Sequence, residues 1–339
     1  MKIKTFKAKG LILFSFLLLI FAVIYGCNDD MTNTTPTYPY NFSVWNYSDD
    51  HYFLDTVYKE SFLDYYNNTS ISAHTDSLRV DDQSFEVWAQ TDLSTIGYRR
   101  AAAYIDLPEL PVSGHYNDSF KVPTNLIQGV NIFGLVTKLS ESQYELNNYA
   151  GYISLRIELH ENYFVGVAYK RQASGKQFGT ISTDTNVAPT DTLVLKMIKV
   201  VNLIPGDSIA WELKLKNIYQ LPTKNVSANG FVLNINYIVS ETFKGINLPI
   251  ITVLGLDKYT NGRSGPPDGN FDFLPGLTID QEEGWIIFPT LKPFLDDLKY
   301  YSPPIDSSYW YPEIYTKLKI ESSSAPNANK YLINGFLTN

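Results

Sequence analysis

Short runs in which apolar and polar residues alternate recur along most of this chain. The cleanest run extends from Ile153 to Leu159, where four aliphatic residues alternate with Ser154, Arg156 and Glu158. Successive side chains of a strand point to opposite faces of its sheet. The run therefore predicts a strand whose aliphatic face packs inward while Arg156 and Glu158 stay in water.

Similar runs predict further strands, separated by turns that are rich in Asn, Asp, Gly and Pro. They cover residues 42–47, 52–58, 60–66, 85–90, 131–139, 163–172, 208–221, 231–243 and 329–337. Residues 99–107 fit a strand better than a short helix, and residues 192–204 fit either. This pattern predicts a mainly β fold, with antiparallel strands in a sandwich-like arrangement.

The longest punctuated loop, residues 110–125, suggests a boundary near Asn125. We expect an N-terminal β region at 41–125 and a second β domain at 126–339. A chain of 339 residues is long enough for both regions to have a core.

The N-terminus has the pattern of a secretory signal peptide at residues 1–26. Four lysines precede the apolar segment Leu11–Tyr25, and Gly26 precedes Cys27, the one cysteine of the chain. This pattern resembles a bacterial lipobox, so Cys27 is the predicted acylation site and residues 27–40 the tether. The alternative is an uncleaved membrane anchor. Acyl chains on Cys27 would hold the protein at the outer membrane, on its periplasmic or its surface face.

The formal net charge of −8 argues against nucleic acid as a partner. Binding to nucleic acid requires a basic patch that releases counterions, and no such patch is present in the sequence. With a single cysteine, the chain has no intrachain disulfide, so its stability depends on the burial of apolar side chains.

Five segments, in order, resemble the SprA/Sov family, the outer-membrane translocon of the type IX secretion and gliding-motility system. They are FEVWAQTDLSTIGYRRAAAYIDLPE, YELNNYAGYISLRIELHENYFVGVAYKRQ, LVLKMIKVVNLIPGDSIAWELKLKNIYQL, residues 254–294, and YPEIYTKLKIESSSAPNANKYLINGFLTN. In residues 254–294 the similarity lies in LGLDK, DGNFDF, GLTI and GWIIFPTLKPF. The resemblance extends over roughly residues 78–339.

This resemblance implies an extramembrane domain of the type found near the N-terminus of that translocon. The expected function is a non-enzymatic, SprA-like envelope module that binds protein partners of the secretion and gliding machinery. One alternative is a surface adhesin or carbohydrate-binding lipoprotein, and another is the leading fragment of a split translocon gene. For the carbohydrate-binding alternative the candidate sugar-stacking residues are Trp45, Trp88, Trp211, Trp285 and Trp310.

Within residues 254–294, a turn-rich stretch supplies hard oxygen ligands of the kind that calcium prefers. The candidate ligands are Asp257, Asp268, Asn270 and Asp272. The spacing resembles the start of an EF-hand loop, but the twelfth position counted from Asp268 is Ile279, where a bidentate Glu is required. The alternative is an ordinary turn held by Asx hydrogen bonds.

A cluster of aromatic residues near the C-terminus is a candidate partner surface, since such residues are enriched at protein contacts. Its members are Tyr300, Tyr301, Tyr309, Trp310 and Tyr311. No catalytic motif accompanies it. The four histidines lie in unrelated segments, and neither G-x-S-x-G nor H-E-x-x-H occurs.

Overall fold

A computed structural model describes residues 37–68, 70–260 and 263–338. The prediction of a mainly β fold is confirmed. The strands are β1 Thr37–Ser43, β2 His51–Phe53, β3 Val80–Gln90, β4 Arg99–Tyr104, β5 Asn131–Lys138, β6 Tyr144–Asn147, β7 Tyr152–Leu155, β8 Val165–Arg171, β9 Gln177–Phe178, β10 Leu193–Lys199, β11 Ile218–Gln220, β12 Val232–Tyr237, β13 Ile279–Asp280, β14 Trp285–Ile287 and β15 Tyr331–Thr338.

Short helices connect the strands. They are α1 Tyr58–Asn67, α2 Ala73–Leu78, α3 Asp118–Lys121, α4 Ser208–Leu213, α5 Ile250–Val253, α6 Leu298–Tyr300, α7 Glu313–Thr316 and α8 Lys319–Ser322. Single 3₁₀ turns lie at Glu141–Gln143 and Ser307–Tyr309, and a π-helical turn at Pro293–Asp297 precedes α6. Among the described residues, no helix is long and apolar enough to cross a membrane.

The largest sheet closes on itself. Its strand order is β10-β4-β5-β3-β8, and β8 pairs in turn with β10; the short strand β9 pairs with the other end of β8. Every pairing in the ring is antiparallel except that of β10 with β4. Because β3 and β4 precede Asn125 while β5, β8 and β10 follow it, this sheet spans the predicted boundary.

Three smaller sheets complete the fold, with strand orders β1-β15-β12, β2-β7-β6 and β11-β14-β13. In the first, Thr37 pairs with Thr338, so the two ends of the described chain lie side by side. Pro39 lies in β1, which is an edge strand, where its missing N–H costs no ladder hydrogen bond.

Buried apolar side chains form two main cores. The first core fills the closed sheet and the space beneath α1, and includes Phe62, Val87 and Leu195. The second core lies between the sheet β1-β15-β12 and the C-terminal helices, and includes Phe294 and Tyr331. Two large cores are the main source of stability in a chain that has no disulfide.

Two predicted strands are helices in the structure. Residues 60–66 belong to α1, whose buried residues Tyr58, Phe62 and Tyr66 are four positions apart, the spacing of one helical face. Residues 208–213 form α4, which begins directly after the turn Pro205–Gly206. Lys216, within the predicted strand 208–221, is only 6% exposed.

The predicted strand at 153–159 is shorter than expected. Strand β7 ends at Leu155, and all four of its residues are buried, because the sheet is covered on both faces. Glu158 is exposed, as predicted. Arg156 is half-buried and forms an ion pair with Glu145 at 2.7 Å.

Candidate functional site

The predicted acylation site, Cys27, and most of the tether lie outside the described residues. The described chain begins in β1, which is hydrogen-bonded along its whole length to β15. A tether that enters through β1 would therefore be attached to an edge strand, which is paired with the central strand β15 of its sheet.

The acidic turn predicted as a calcium site binds its own backbone. Asp257 is 1% exposed, and its Oδ1 and Oδ2 accept hydrogen bonds from the backbone N–H groups of Asp268 at 3.0 Å and Gly269 at 2.9 Å. Thr252 Oγ1 also donates to Asp257 Oδ2. The most buried carboxylate of the predicted ligand set is therefore saturated by donors.

The other predicted ligands are engaged in the same way. Asp272 Oδ2 accepts from the N–H groups of Lys258 at 2.6 Å and Tyr259 at 3.1 Å, and Asp268 Oδ1 accepts from the N–H of Asn270 at 2.9 Å. These are the Asx-type contacts of a folded turn. Over the described ranges, no group of three or more His, Cys, Asp or Glu side chains is placed to hold a metal ion.

The predicted aromatic surface is divided between core and solvent. Tyr311 is fully buried and its hydroxyl donates to the carbonyl of Ser322, so its assignment to a contact surface is wrong. Tyr309 and Trp310 are half-buried against the second core, as is Tyr301. Only Tyr300 of this set is strongly exposed, at 73%.

Two of the tryptophans suggested for sugar stacking, Trp285 and Trp310, donate hydrogen bonds to other residues of the fold. Trp285 is 5% exposed, and its Nε1 donates to Gln220 Oε1 at 2.6 Å. Trp310 Nε1 donates to the carbonyl of Ile305 at 3.1 Å. Both indoles are therefore held in the fold by hydrogen bonds.

An open groove of about 750 Å³, which we call the central groove, lies on the described part of the chain. It lies where the two cores meet, between the segment after β1, the segments after β7 and β10, α4 and α8. Its aromatic lining consists of Trp45, Tyr47, Tyr52 and Trp211. A volume of this size is in the usual range of ligand pockets, roughly 300–1,000 Å³.

A fixed ionic cluster forms one wall of the central groove. Asp49 lies 2.5 Å from Lys214 Nζ and 2.7 Å from Lys319 Nζ. Burial alone would raise the pKa of Asp49, but the two ammonium groups outweigh it and hold that pKa below its ordinary value. Both ammonium groups also lie over the ring of Tyr47, at 5.6 and 5.1 Å from its centroid.

Another lysine of the groove lining, Lys199, holds a neighbouring loop. Lys199 Nζ donates to the backbone carbonyls of His160, Glu161 and Tyr163, at 3.2, 3.3 and 2.5 Å. Burial lowers the pKa of Lys199 to about 8. This lysine therefore fixes the loop after β7 to the end of β10.

Trp45 leaves one donor of the groove lining unused. Its Nε1 is shielded from solvent and has no hydrogen-bond acceptor in the described part of the chain. A shielded donor without an acceptor costs free energy. Nearby on the groove rim, Ile204 and Ile320 are exposed at 48% and 74%.

The structure also brings together a serine and a histidine that lie far apart in the sequence. His51 Nδ1 lies 2.7 Å from Ser154 Oγ in the pairing of β2 with β7. Burial lowers the pKa of His51 to about 3, and no described residue binds its Nε2. An imidazole this weakly basic is poorly matched to general-base work near neutral pH.

Of the groove residues, only Trp45 and Trp211 were candidates from the sequence, as sugar-stacking residues. Asp49, Lys214 and Lys319 come from segments more than 100 residues apart, and no local spacing relates them. No family model matches the chain, and no curated protein matches it either.

Proposed function

We propose that this chain is a lipid-anchored envelope protein that works by binding an extended segment of a partner protein in the central groove. The partner would belong to a SprA-like type IX secretion and gliding machine. The lipobox at Cys27 and the five ordered segments of resemblance support this assignment. The acyl chains would keep the groove close to membrane-embedded subunits.

The observation that carries the proposal is the aromatic lining of the central groove beside two exposed isoleucines on its rim. The apolar side chains of an extended polypeptide would pack on the aromatic rings and cover Ile204 and Ile320. Aromatic residues in a recessed site are the usual anchors of protein interfaces. The ionic wall fixes the shape of the groove and adds little net charge, so shape and hydrogen bonds would determine specificity.

The test is affinity purification of the tagged full-length chain from its own membranes in mild detergent, with quantitative mass spectrometry. We expect a SprA-type translocon subunit among the enriched proteins. Ile320→Arg should reduce its recovery at least fivefold, because the arginine would obstruct the groove rim. Ile96→Arg, on an exposed loop outside the groove, is the matched control and should leave recovery unchanged.

Two outcomes would contradict the proposal in different ways. If the unmodified chain recovers no secretion component, the assignment to this machinery fails. If Ile320→Arg recovers the subunit as well as the unmodified chain does, the groove is not the contact.

A further inference from the structure

A second cavity, of about 210 Å³, lies between the two small sheets β2-β7-β6 and β11-β14-β13. We call it the intersheet cavity. Its lining is strongly aromatic and includes Tyr65, Tyr66, Tyr152 and Trp285. It is smaller than a pocket for a drug-sized molecule, so it would hold one small group or the tip of a side chain.

Two carboxyl groups line the same cavity from opposite sheets. Glu145 belongs to β6 and Asp280 to β13, and their side chains are within hydrogen-bonding reach of each other. Burial, and then the proximity of Asp280, raise the pKa of Glu145 to about 7. Two carboxylates in contact cannot both ionise cheaply unless a proton or a cation lies with them.

The nearby cationic side chains do not neutralise the carboxylates around the cavity. Arg156 lies 2.7 Å from Glu145 and 3.1 Å from Glu283, and Lys224 lies 2.5 Å from Glu283. Two positive charges thus face three carboxylates. The cations are Arg156 and Lys224, and the carboxylates are Glu145, Glu283 and Asp280. The cavity lining also contains tyrosine hydroxyls, and burial raises the pKa values of Tyr152 and Tyr66 above their ordinary range.

The aromatic walls are held in place before any ligand arrives. The hydroxyls of Tyr66 and Tyr152 lie 2.7 Å apart, and Trp285 is fixed by its hydrogen bond to Gln220. His51 packs edge-on against the ring of Trp285, with 4.7 Å between ring centroids. Rings that cannot rotate away lose little entropy when they bind a ligand.

We propose that the intersheet cavity binds an alkylammonium group, carried by the lysine side chain of a peptide or by a small free amine. Aromatic faces attract a cation, more strongly as water is excluded. The carboxyl pair would accept hydrogen bonds from the N–H donors of the cation and release its shared proton. An anion is excluded by the excess carboxylate, and a neutral alkyl group would leave that charge uncompensated.

This inference is independent of the proposed groove function, because it involves other residues and another ligand chemistry. Isothermal titration calorimetry on the full-length chain in detergent tests it, with n-butylammonium and the peptide acetyl-Gly-Lys-Gly-amide as probes. At pH 8 we expect at least one of the two to bind. The tighter of them identifies the source of the ammonium group.

Binding should weaken at least tenfold at pH 5.5, where the carboxyl pair retains its proton. The same peptide acetylated on its lysine nitrogen should not bind. Glu145→Gln should weaken binding at pH 8 at least tenfold. Glu141→Gln, an exposed acid four residues earlier that does not line the cavity, is the control and should have no effect.

Because the Glu145 side chain is 44% exposed, its replacement by Gln should leave the protein folded, which circular dichroism can verify. The inference is overturned if neither probe binds at millimolar concentration. It is also overturned if the acetylated peptide binds as tightly as the free lysine form, or if Glu145→Gln binds like the unmodified chain.

Discussion

The ammonium group of Lys196 lies 2.6 Å from a carboxylate oxygen of Asp55, in the wall of the first core. Only 3% of the lysine side chain and 19% of the aspartate side chain are exposed. Lys196 belongs to β10, and Asp55 precedes α1. The pair therefore joins the helix to the closed sheet through an ion pair that is largely withdrawn from water.

Removing the charge of one partner of this ion pair should lower the free energy of unfolding. Asp55→Asn would leave the ammonium of Lys196 buried without its counter-charge, which typically costs about 3–5 kcal/mol. The double variant Asp55→Asn with Lys196→Met should recover much of that loss, because no buried charge remains. Urea unfolding of the unmodified chain, the two single variants and the double variant measures both effects.

An exposed ion pair provides the control for this experiment. Lys176 and Glu109 are 2.9 Å apart, with side chains 50% and 44% exposed. Glu109→Gln should change the free energy of unfolding by less than about 1 kcal/mol, as solvated pairs do. If Asp55→Asn is equally harmless, the buried pair does not stabilise the attachment of α1.

A glycine in the closed sheet gives a second prediction. A Cβ added to Gly166 in β8 would lie 2.8 Å from Leu195 Cβ in β10, closer than side chains pack. Gly166→Ala should therefore destabilise the fold by about 1–3 kcal/mol through overpacking. Thermal unfolding checks this, with Gly206→Ala as the control, since the nearest atom there is 3.9 Å away. Equal melting temperatures would contradict the close approach of β8 and β10.

Local alternation located the C-terminal strand β15, whose residues alternate between buried and partly exposed positions. The run around Val87 also lies in a strand, β3, but residues 85–89 are buried on both faces, so Glu86 and Trp88 are not on an exposed face. The same rule failed for α1, where Tyr58, Phe62 and Tyr66 share a helical face while their polar neighbours imitate a strand pattern. Short aromatic segments satisfy both periods, and tertiary packing decides between them.

The candidate sites were harder to predict than the strands, for a physical reason. The turn at Asp257 and Asp272 is local, so the sequence located it correctly, although the structure assigns its oxygens to backbone donors. The central groove and the intersheet cavity depend on contacts such as Asp49 with Lys319 and Glu145 with Asp280. These contacts join residues that are far apart in the sequence. They follow from the topology of the fold and cannot be predicted from the spacing of a local motif.

Stability should depend on pH through Asp297. Burial raises the pKa of this carboxyl to about 7, and neighbouring Asp296 adds to the effect. The folded state thus retains a proton that the unfolded chain releases near pH 4, so stability falls as the pH rises from about 4 to 7. Asp297→Asn removes this loss, and we expect it to stabilise the protein at pH 8 by about 2 kcal/mol or more, with little change at pH 4.

Chemical denaturation at pH 4, 6 and 8 measures how the free energy of unfolding changes with pH. Asp118→Asn is the matched control, because the Asp118 side chain is 96% exposed. Its pH profile should follow that of the unmodified chain. A profile for Asp297→Asn parallel to that of the unmodified chain would show that Asp297 titrates normally in the folded state.

The lipid anchor can be tested at one atom. Acylation requires the thiol of Cys27, so Cys27→Ser should abolish incorporation of labelled palmitate and move the protein out of the membrane fraction. Two or more acyl chains anchor a protein durably, whereas a polar N-terminus does not. Edman sequencing or mass spectrometry of the unmodified protein should find Cys27 at the mature N-terminus. Palmitate labelling that persists in Cys27→Ser would contradict the lipobox. Protease added to intact cells shows which membrane face the domain of the unmodified, anchored protein occupies.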